Sequence, residues 1–214
     1  MELKGKKINF LGDSITQGSL ASDLSKCFVS LIAERDGAIC RNYGIGGTRI
    51  ARVKTPTEPI YDQDFCGRVD AMDPDADVIV VFGGTNDYGG GDAVLGEFSD
   101  RTPYTFYGAL HELCTSLINR YPESDIVFMT PLHRDYGDIH ENAWAHKAAF
   151  SEWVKAIKEV CEYYALPVCD LYTTSGLQPA LPVINDKYMP DKLHPNDAGH
   201  EILYRKVSNF LKSL

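Results

Sequence analysis

The chain has 214 residues, 44% of them hydrophobic and 24% charged, and this length and composition predict one globular domain over residues 1–214. Its formal net charge of −9 argues against a nucleic-acid partner or an anionic membrane surface, because their phosphates would repel it. The charge also mildly disfavours a strongly anionic substrate. Neither a signal peptide nor an apolar run of about 20 residues is visible, so we expect a cytoplasmic protein with no membrane span.

Apolar runs and turn residues predict strands that alternate with helices. In chain order, strands are expected over residues 8–11, 39–43, 78–82, 126–130 and 167–171. Helices are expected after Ser22 and Asp23 up to a stop at Gly37, over about 66–72, from Thr102, over about 141–164, and from Asn196 onward. Surface segments or loops are predicted for the remaining parts of 54–75 and for residues 88–101, 131–140 and 173–190.

The apolar stripes of these helices identify their expected buried faces. The first stripe includes Leu24 and Phe28, and the helix over 141–164 has one that includes Trp144 and Ala148. Four histidines are interpreted as surface or helix-face residues: His111, His140, His146 and His200.

The alternation of strands and helices predicts an α/β fold, in which a five-stranded parallel sheet has helices on both faces. In such sheets, ligands bind just outside the carboxyl ends of the strands. Ser14, Gly47 and Asn86 each follow a predicted strand. We therefore expect these three residues at one edge of the sheet.

A serine at the end of the first strand, in Gly12-Asp13-Ser14, is a candidate nucleophile. A serine hydroxyl needs a base, usually a histidine, which a third group orients. Asp191 and His194 lie three residues apart, just before the last predicted helix. The carboxylate could accept a hydrogen bond from Nδ1 of the imidazole and leave Nε2 facing Ser14.

Negative charge that develops on a substrate oxygen needs hydrogen-bond donors already in place. The backbone N–H groups of Ser14 and Gly47 and the side-chain amide of Asn86 could supply three donors. Glycine at position 47 also lets the backbone approach a ligand closely, because it has no Cβ.

These blocks resemble those of the SGNH hydrolases, also called GDSL-type esterases and lipases. The four blocks occur in the family's order over residues 12–194: Gly12-Asp13-Ser14, Asn42-Tyr43-Gly44-Ile45-Gly46-Gly47-Thr48, Gly84-Thr85-Asn86-Asp87 and Asp191-x-x-His194. The resemblance implies that Ser14 is the nucleophile, His194 the general base and Asp191 the group that orients it. It also implies an oxyanion hole made of Ser14, Gly47 and Asn86, and a flavodoxin-like three-layer α/β/α sandwich. Ile15 replaces the leucine of the name-giving motif, a common variation.

Each assignment has a structural alternative. Ser14 could cap a helix, Gly47 could be a turn glycine, and Asn86 could form an Asx turn. Asp191 and His194 could be surface residues before a helix. The order of the four blocks favours the catalytic interpretation.

The resemblance implies a serine esterase that works through an acyl-enzyme. Because no lid helix is evident, a short acyl group is favoured, such as an acetyl ester of a carbohydrate. A lysophospholipase- or thioesterase-type acylhydrolase, or an acyltransferase, would use the same residues. A nucleotide- or flavin-binding protein is disfavoured because no phosphate-binding motif is present, and an interaction module would not need the four blocks.

No cofactor and no metal are expected, since the six cysteines lack metal-binding spacing and are interpreted as reduced thiols. Asp13 and His133 are candidate substrate contacts, although His133 and Arg134 could equally be a solvated pair. Aromatic residues near the 88–101 segment could stack on sugar rings or could pack the segment down: Tyr88, Phe98, Tyr104 and Tyr107.

Overall fold

The structure, a computed structural model, describes residues 1–135 and 148–214. Its strands are β1 (Lys7–Gly12), β2 (Ile39–Gly44), β3 (Val78–Phe82), β4 (Asp125–Met129) and β5 (Val168–Cys169). Its α-helices are α1 (Ser14–Gln17), α2 (Phe28–Asp36), α3 (Phe65–Arg68), α4 (Thr85–Gly89), α5 (Phe106–Arg120), α6 (Phe150–Tyr163), α7 (Leu171–Thr174), α8 (Pro182–Tyr188) and α9 (Asp197–Ser213). Short 3₁₀ helices cover Leu24–Lys26 and Val69–Ala71.

The five strands form one parallel sheet in the order β2-β1-β3-β4-β5, as predicted. From β1 the chain first adds β2 on one side and then β3 on the other, which creates a topological switch point between β1 and β3. Gly12 pairs in register with both Gly44 and Phe82, so these three strands end level with one another. The segments that follow them therefore meet at one edge.

Alternating side chains of the sheet fill two cores, one on each face. Along β3, Ile79 and Val81 pack into the core formed with α5 and α6, while Val80 and Phe82 pack into the core formed with α2 and α9. All five residues of β3 are buried, which is why its sequence is continuously apolar. The predicted three-layer α/β/α arrangement is confirmed.

Two helices begin later than their sequence signals indicate. Asp23 caps the 3₁₀ helix Leu24–Lys26 instead of α2, and Leu24 is 66% exposed, so its place in an apolar stripe was wrong. Thr105, whose side chain accepts a hydrogen bond from Gly108 N–H, caps α5, and the helix does not begin at Thr102. The predicted stop at Gly37 is confirmed by its left-handed backbone, with φ of 70°.

The carboxyl-terminal third also departs from prediction. Helix α6 begins at Phe150 within the described residues, Ala148 precedes it, and Trp144 lies outside the described residues. The fifth strand has only two residues because Asp170 caps α7 directly after it. Helix α8 occupies part of the segment predicted as loop.

Two of the four histidines interpreted as surface or helix-face residues are buried. His111 is 1% exposed and bonds to the Tyr164 hydroxyl, and His200 is fully buried in a stack on Phe28. His140 and His146 lie outside the described residues. All six cysteines are free thiols. No helix within residues 1–135 and 148–214 is both long and apolar enough to cross a bilayer.

Candidate active site

Ser14 is the first residue of α1, directly after β1. The helix is capped by Asp13, whose carboxylate accepts a hydrogen bond from Ile15 N–H at 3.0 Å. The hydroxyl of Ser14 is therefore not used as a cap. Its Oγ lies 2.8 Å from Nε2 of His194, which is 180 positions further along the chain.

His194 is held by Asp191 on its other ring nitrogen. Nδ1 of His194 lies 2.6 Å from Oδ2 of Asp191, while Oδ1 accepts from the backbone N–H groups of Leu193 and His194 at 2.9 and 2.7 Å. Partial burial raises the pKa of Asp191, but the hydrogen bonds from His194 and Leu193 outweigh burial and hold that pKa below its usual value. A charged Asp191 favours the tautomer with the proton on Nδ1, which leaves Nε2 free to accept the Ser14 proton.

A strained turn brings the aspartate and the histidine together. Lys192 has a φ of 65°, a left-handed conformation that is uncommon for a residue with a side chain. Its carbonyl accepts from Asp135 N–H at 2.9 Å, and its ammonium pairs with the Asp135 carboxylate at 2.7 Å. Asp135 was not predicted as a residue of the site, because no local motif identifies it.

Three donors converge beside Ser14. Within the described residues, the backbone N–H groups of Ser14 and Gly47 have no hydrogen-bond acceptor. Asn86 donates one amide hydrogen to the carbonyl of Thr48 at 2.9 Å, which leaves the second hydrogen free. Helix α4 has Gly84 at its cap and no side-chain capping bond, so the Asx-turn alternative for Asn86 is not realised.

Both the backbone conformation at position 47 and the close contact with Tyr61 require a glycine there. Its φ of 76° favours glycine, and a Cβ there would lie 2.4 Å from Cδ1 of Tyr61. The aromatic ring therefore packs directly against this glycine.

Buried charges fix the strand ends beneath the site. The Arg68 guanidinium donates to the carbonyls of Gly12 and Tyr43 and to the hydroxyl of Thr48. This arginine was not predicted as a residue of the site, because no spacing relates it to the four blocks. It links the ends of β1 and β2 to the loop that carries Gly47.

Two buried carboxyl groups, those of Asp87 and Asp13, also lie close to the strand ends. Asp87 accepts from Ile50 and Ala51 N–H at 3.0 and 2.7 Å and so anchors the same loop. Burial raises the pKa of Asp87 to about 6 and that of Asp13 to about 7, against the opposing effect of their backbone hydrogen bonds.

Two adjoining cavities open at this edge. The larger, of about 420 Å³, is lined by Ser14, Gln17, Ser19, Ile60, Tyr61 and His194, among others. The smaller, of about 150 Å³, is lined by Arg49, Gly89, Gly90 and Arg134. Gly47, Asn86 and Leu193 line both cavities.

The two candidate substrate contacts do not line these cavities. Asp13 is only 2% exposed and its carboxyl group caps α1, and His133 stacks on Tyr172 with ring centroids 3.8 Å apart. Arg134 is buried and donates to the carbonyl of Thr85 at 2.7 Å, so the solvated-pair interpretation was wrong for it.

The aromatic residues of the 88–101 segment pack against the protein and do not line either cavity. Tyr88 lies against Phe150 and Trp153, and Phe98 lies against Tyr107. Over the residues that the structure describes, no group of three or more His, Cys, Asp or Glu side chains could hold a metal ion.

A serine bonded to a histidine–aspartate pair, beside converging donors at the carboxyl edge of a parallel sheet, is the arrangement expected of a serine hydrolase. A sequence profile of the GDSL-like lipase/acylhydrolase family matches residues 10–202. The chain belongs to that family and is a hydrolytic, ester-cleaving enzyme.

Solved structures share the fold of this chain, whereas no curated protein matches it. A protein from Lactobacillus plantarum is 33% identical, covering 98% of each chain, with a TM-score of 0.85. Two others are less than 25% identical and show the fold alone. A member of the lipolytic G-D-S-L family from Veillonella parvula has 18% identity, covers 97% of this chain and 99% of its own, and has a TM-score of 0.64. A two-domain esterase active on acetylated mannans has 22% identity, covers 99% of this chain and 50% of its own, and also has a TM-score of 0.64.

Proposed function

We propose that this enzyme is a serine esterase that removes short acyl groups, acetyl in particular, from carbohydrates. The hydrogen-bonded series from Ser14 Oγ through His194 to Asp191, at 2.8 and 2.6 Å, is the observation that carries the catalytic part of the proposal. It supplies a nucleophile, a base and an orienting carboxylate without any rearrangement.

The reaction follows from these positions. His194 takes the proton from Ser14 as Oγ attacks the ester carbonyl, and the carbonyl oxygen gains negative charge. The N–H groups of Ser14 and Gly47 and the free amide hydrogen of Asn86 stabilise that charge. His194 then protonates the leaving alcohol, and a water molecule deprotonated by His194 hydrolyses the acyl-enzyme.

The position of His194 supports an assignment of the two cavities to the two parts of the substrate. Because Nε2 must protonate the leaving oxygen, the alcohol part of the substrate lies on the His194 side, in the larger cavity. The acyl substituent extends past Gly47 and Asn86 into the smaller cavity.

The size and lining of the smaller cavity support a short acyl group. Its volume of about 150 Å³ is well below the 420 Å³ of the larger cavity. The guanidinium groups of Arg49 and Arg134 in its wall disfavour a long apolar chain, which would desolvate them. The similarity to an esterase active on acetylated mannans supports a carbohydrate as the alcohol.

Two measurements test the proposal. A fluorophosphonate probe should label the parent enzyme and Ser213→Ala, in which an exposed serine near the carboxyl terminus is removed, but not Ser14→Ala. Among 4-nitrophenyl esters from acetyl to octanoyl, kcat/KM should be highest for acetyl or propionyl, and monoacetylated sugars should be hydrolysed. Labelling of Ser14→Ala would refute the nucleophile, and a preference for octanoyl would refute the acyl assignment.

A further inference from the structure

An aromatic side chain that the catalytic steps do not use lines the larger cavity. Tyr61 lines this cavity together with Ser14 and His194, and it is 43% exposed. It is on the side of the site where His194 protonates the leaving alcohol. Tyr61 therefore lines the space that the leaving group would fill.

The protein holds this ring in place before any substrate binds. One part of the ring packs against Gly47, where a Cβ would come within 2.4 Å of Cδ1. Arg49 donates to the carbonyl of Tyr61 at 3.3 Å and pairs with Asp62 at 3.7 Å. Asp62 in turn accepts from the N–H and the hydroxyl of Thr57, both at 2.7 Å, and so closes the loop. A ring held this way loses little conformational entropy when it binds a ligand.

Polar groups with unused hydrogen-bonding capacity line the same cavity as the ring. Gln17 accepts from Gly46 N–H at 2.9 Å through Oε1, which leaves its Nε2 hydrogens available. Within the described residues, the hydroxyls of Ser19 and Tyr61 have no hydrogen-bond partner. The cavity thus combines one apolar aromatic face with amide and hydroxyl donors.

That combination matches the chemistry of a pyranose ring. A sugar presents C–H groups on its faces, which pack on the negative face of an aromatic ring, and hydroxyls around its rim, which need polar partners. A purely aliphatic alcohol would make no hydrogen bonds to Gln17 or Ser19, whereas sugar hydroxyls could bond to both. The cavity volume of about 420 Å³ lies in the range of about 300–1,000 Å³ that small-molecule sites occupy.

We propose that Tyr61 is the platform on which the sugar ring of the leaving group stacks, and that it determines the alcohol specificity of the enzyme. This proposal rests on the proposed esterase function and adds to it the residue that selects the alcohol. The stacking interaction is present in the ground state and the transition state alike, so it acts mainly on KM.

Tyr61→Ala and Tyr61→Phe test the platform with three acetyl esters: monoacetylated methyl hexopyranosides, cyclohexyl acetate and ethyl acetate. Tyr61→Ala should lower kcat/KM about tenfold for the sugar esters, mostly through KM, and change it less than twofold for ethyl acetate. Tyr61→Phe should retain most of the sugar activity, because the ring remains. Tyr163→Ala, which removes a tyrosine that is 60% exposed on α6, is the matched control and should behave as the parent.

Binding of the free alcohol gives a second readout. An unesterified methyl hexopyranoside should inhibit ethyl acetate hydrolysis competitively, and Tyr61→Ala should raise the inhibition constant about tenfold. If Tyr61→Ala loses kcat/KM equally on sugar and ethyl esters, the role of Tyr61 is to hold Gly47. That result would overturn the stacking proposal but not the proposed esterase function. An equal loss on sugar and cyclohexyl esters would overturn its selectivity for sugars. A parent enzyme that cleaves ethyl acetate but no sugar ester would overturn the proposed substrate as well.

Discussion

Asn86 tests the proposed mechanism most directly, because its two amide hydrogens have different roles. One donates to the carbonyl of Thr48 at 2.9 Å and holds the loop that carries Gly47. The other is free to donate to the oxygen of the substrate as negative charge develops on it. Asn86→Ala removes both interactions, and Asn86→Asp keeps the shape but replaces the donor with a charged acceptor.

The expected effect on catalysis is large. Loss of one preorganised donor costs about 10²–10³ in kcat, or about 3–4 kcal/mol. The hydrogen bond to Thr48 contributes about 1 kcal/mol to the free energy of unfolding, so the fold should survive. Because the catalytic bond strengthens as the oxyanion forms, kcat should fall while KM changes little. Asn86→Asp should be slower still, since its carboxylate would repel both the oxyanion and the Thr48 carbonyl.

The assay is steady-state hydrolysis of 4-nitrophenyl acetate, with kcat and KM determined separately. Urea denaturation of each variant shows whether the fold is retained, and Asn209→Ala, on the exposed side of α9, is the matched control. If Asn86 only closed the turn after β3, aspartate would substitute well, because it forms the same turn. Near-normal turnover by Asn86→Asp, or a loss confined to KM, would refute the reasoning.

Three further predictions concern other parts of the site. Asp191→Asn should lower kcat for 4-nitrophenyl acetate by about 10⁴ and His194→Ala by about 10⁶, because only the second variant removes the base; equal losses would contradict the orienting role of Asp191. Gly90→Val should reduce kcat/KM for butanoyl esters relative to acetyl esters, since Gly90 lines the smaller cavity. The backbone there is extended (φ −172°), and a Cβ would meet only Asn86 O at 3.9 Å, so the protein can accommodate the valine. An unchanged ratio would place the acyl group elsewhere. Burial raises the pKa of Asp13 from 3.8 to about 7, so the parent should lose stability as pH rises across that window, whereas the neutral amide of Asp13→Asn should not. Urea denaturation of both proteins between pH 5 and pH 8 gives the free energy of unfolding of Asp13→Asn minus that of the parent. This difference should increase with pH, by at most about 1.4 kcal/mol per pH unit within the window. A constant difference would be evidence against a buried, titrating Asp13.

Much of the fold was predictable because its signals are local. The unbroken apolar run of β3 identified a strand buried on both faces, and Gly37 and Asn196 marked the end of α2 and the cap of α9. Such signals depend on a few neighbouring residues. Local signals were less reliable for the first residue of a helix. Asp23 and Thr102 looked like helix caps, yet α2 and α5 begin further along the chain, where side chains can reach the core.

The sequence alone also supplied the residues of the candidate site. Ser14, Gly47, Asn86, Asp191 and His194 stand in four short blocks, each at the predicted end of a strand or the start of a helix. A parallel sheet brings strand ends together, which groups Ser14, Gly47 and Asn86. The spacing of Asp191 and His194 and the resemblance to the family added the other two residues. In the folded protein, Oγ of Ser14 and Nε2 of His194, which are 180 positions apart in the chain, lie within hydrogen-bond distance.

Only the tertiary structure revealed the residues that surround this site. Arg68, Asp135 and Tyr61 belong to no motif, and each acts through contacts with segments distant in the chain. Packing likewise separated Arg134, which lines the smaller cavity, from its neighbour His133, which stacks on Tyr172. The types of residue that carry out the chemistry are encoded locally, whereas the shape of a cavity depends on which distant segments pack around it, and one sequence position cannot specify that packing.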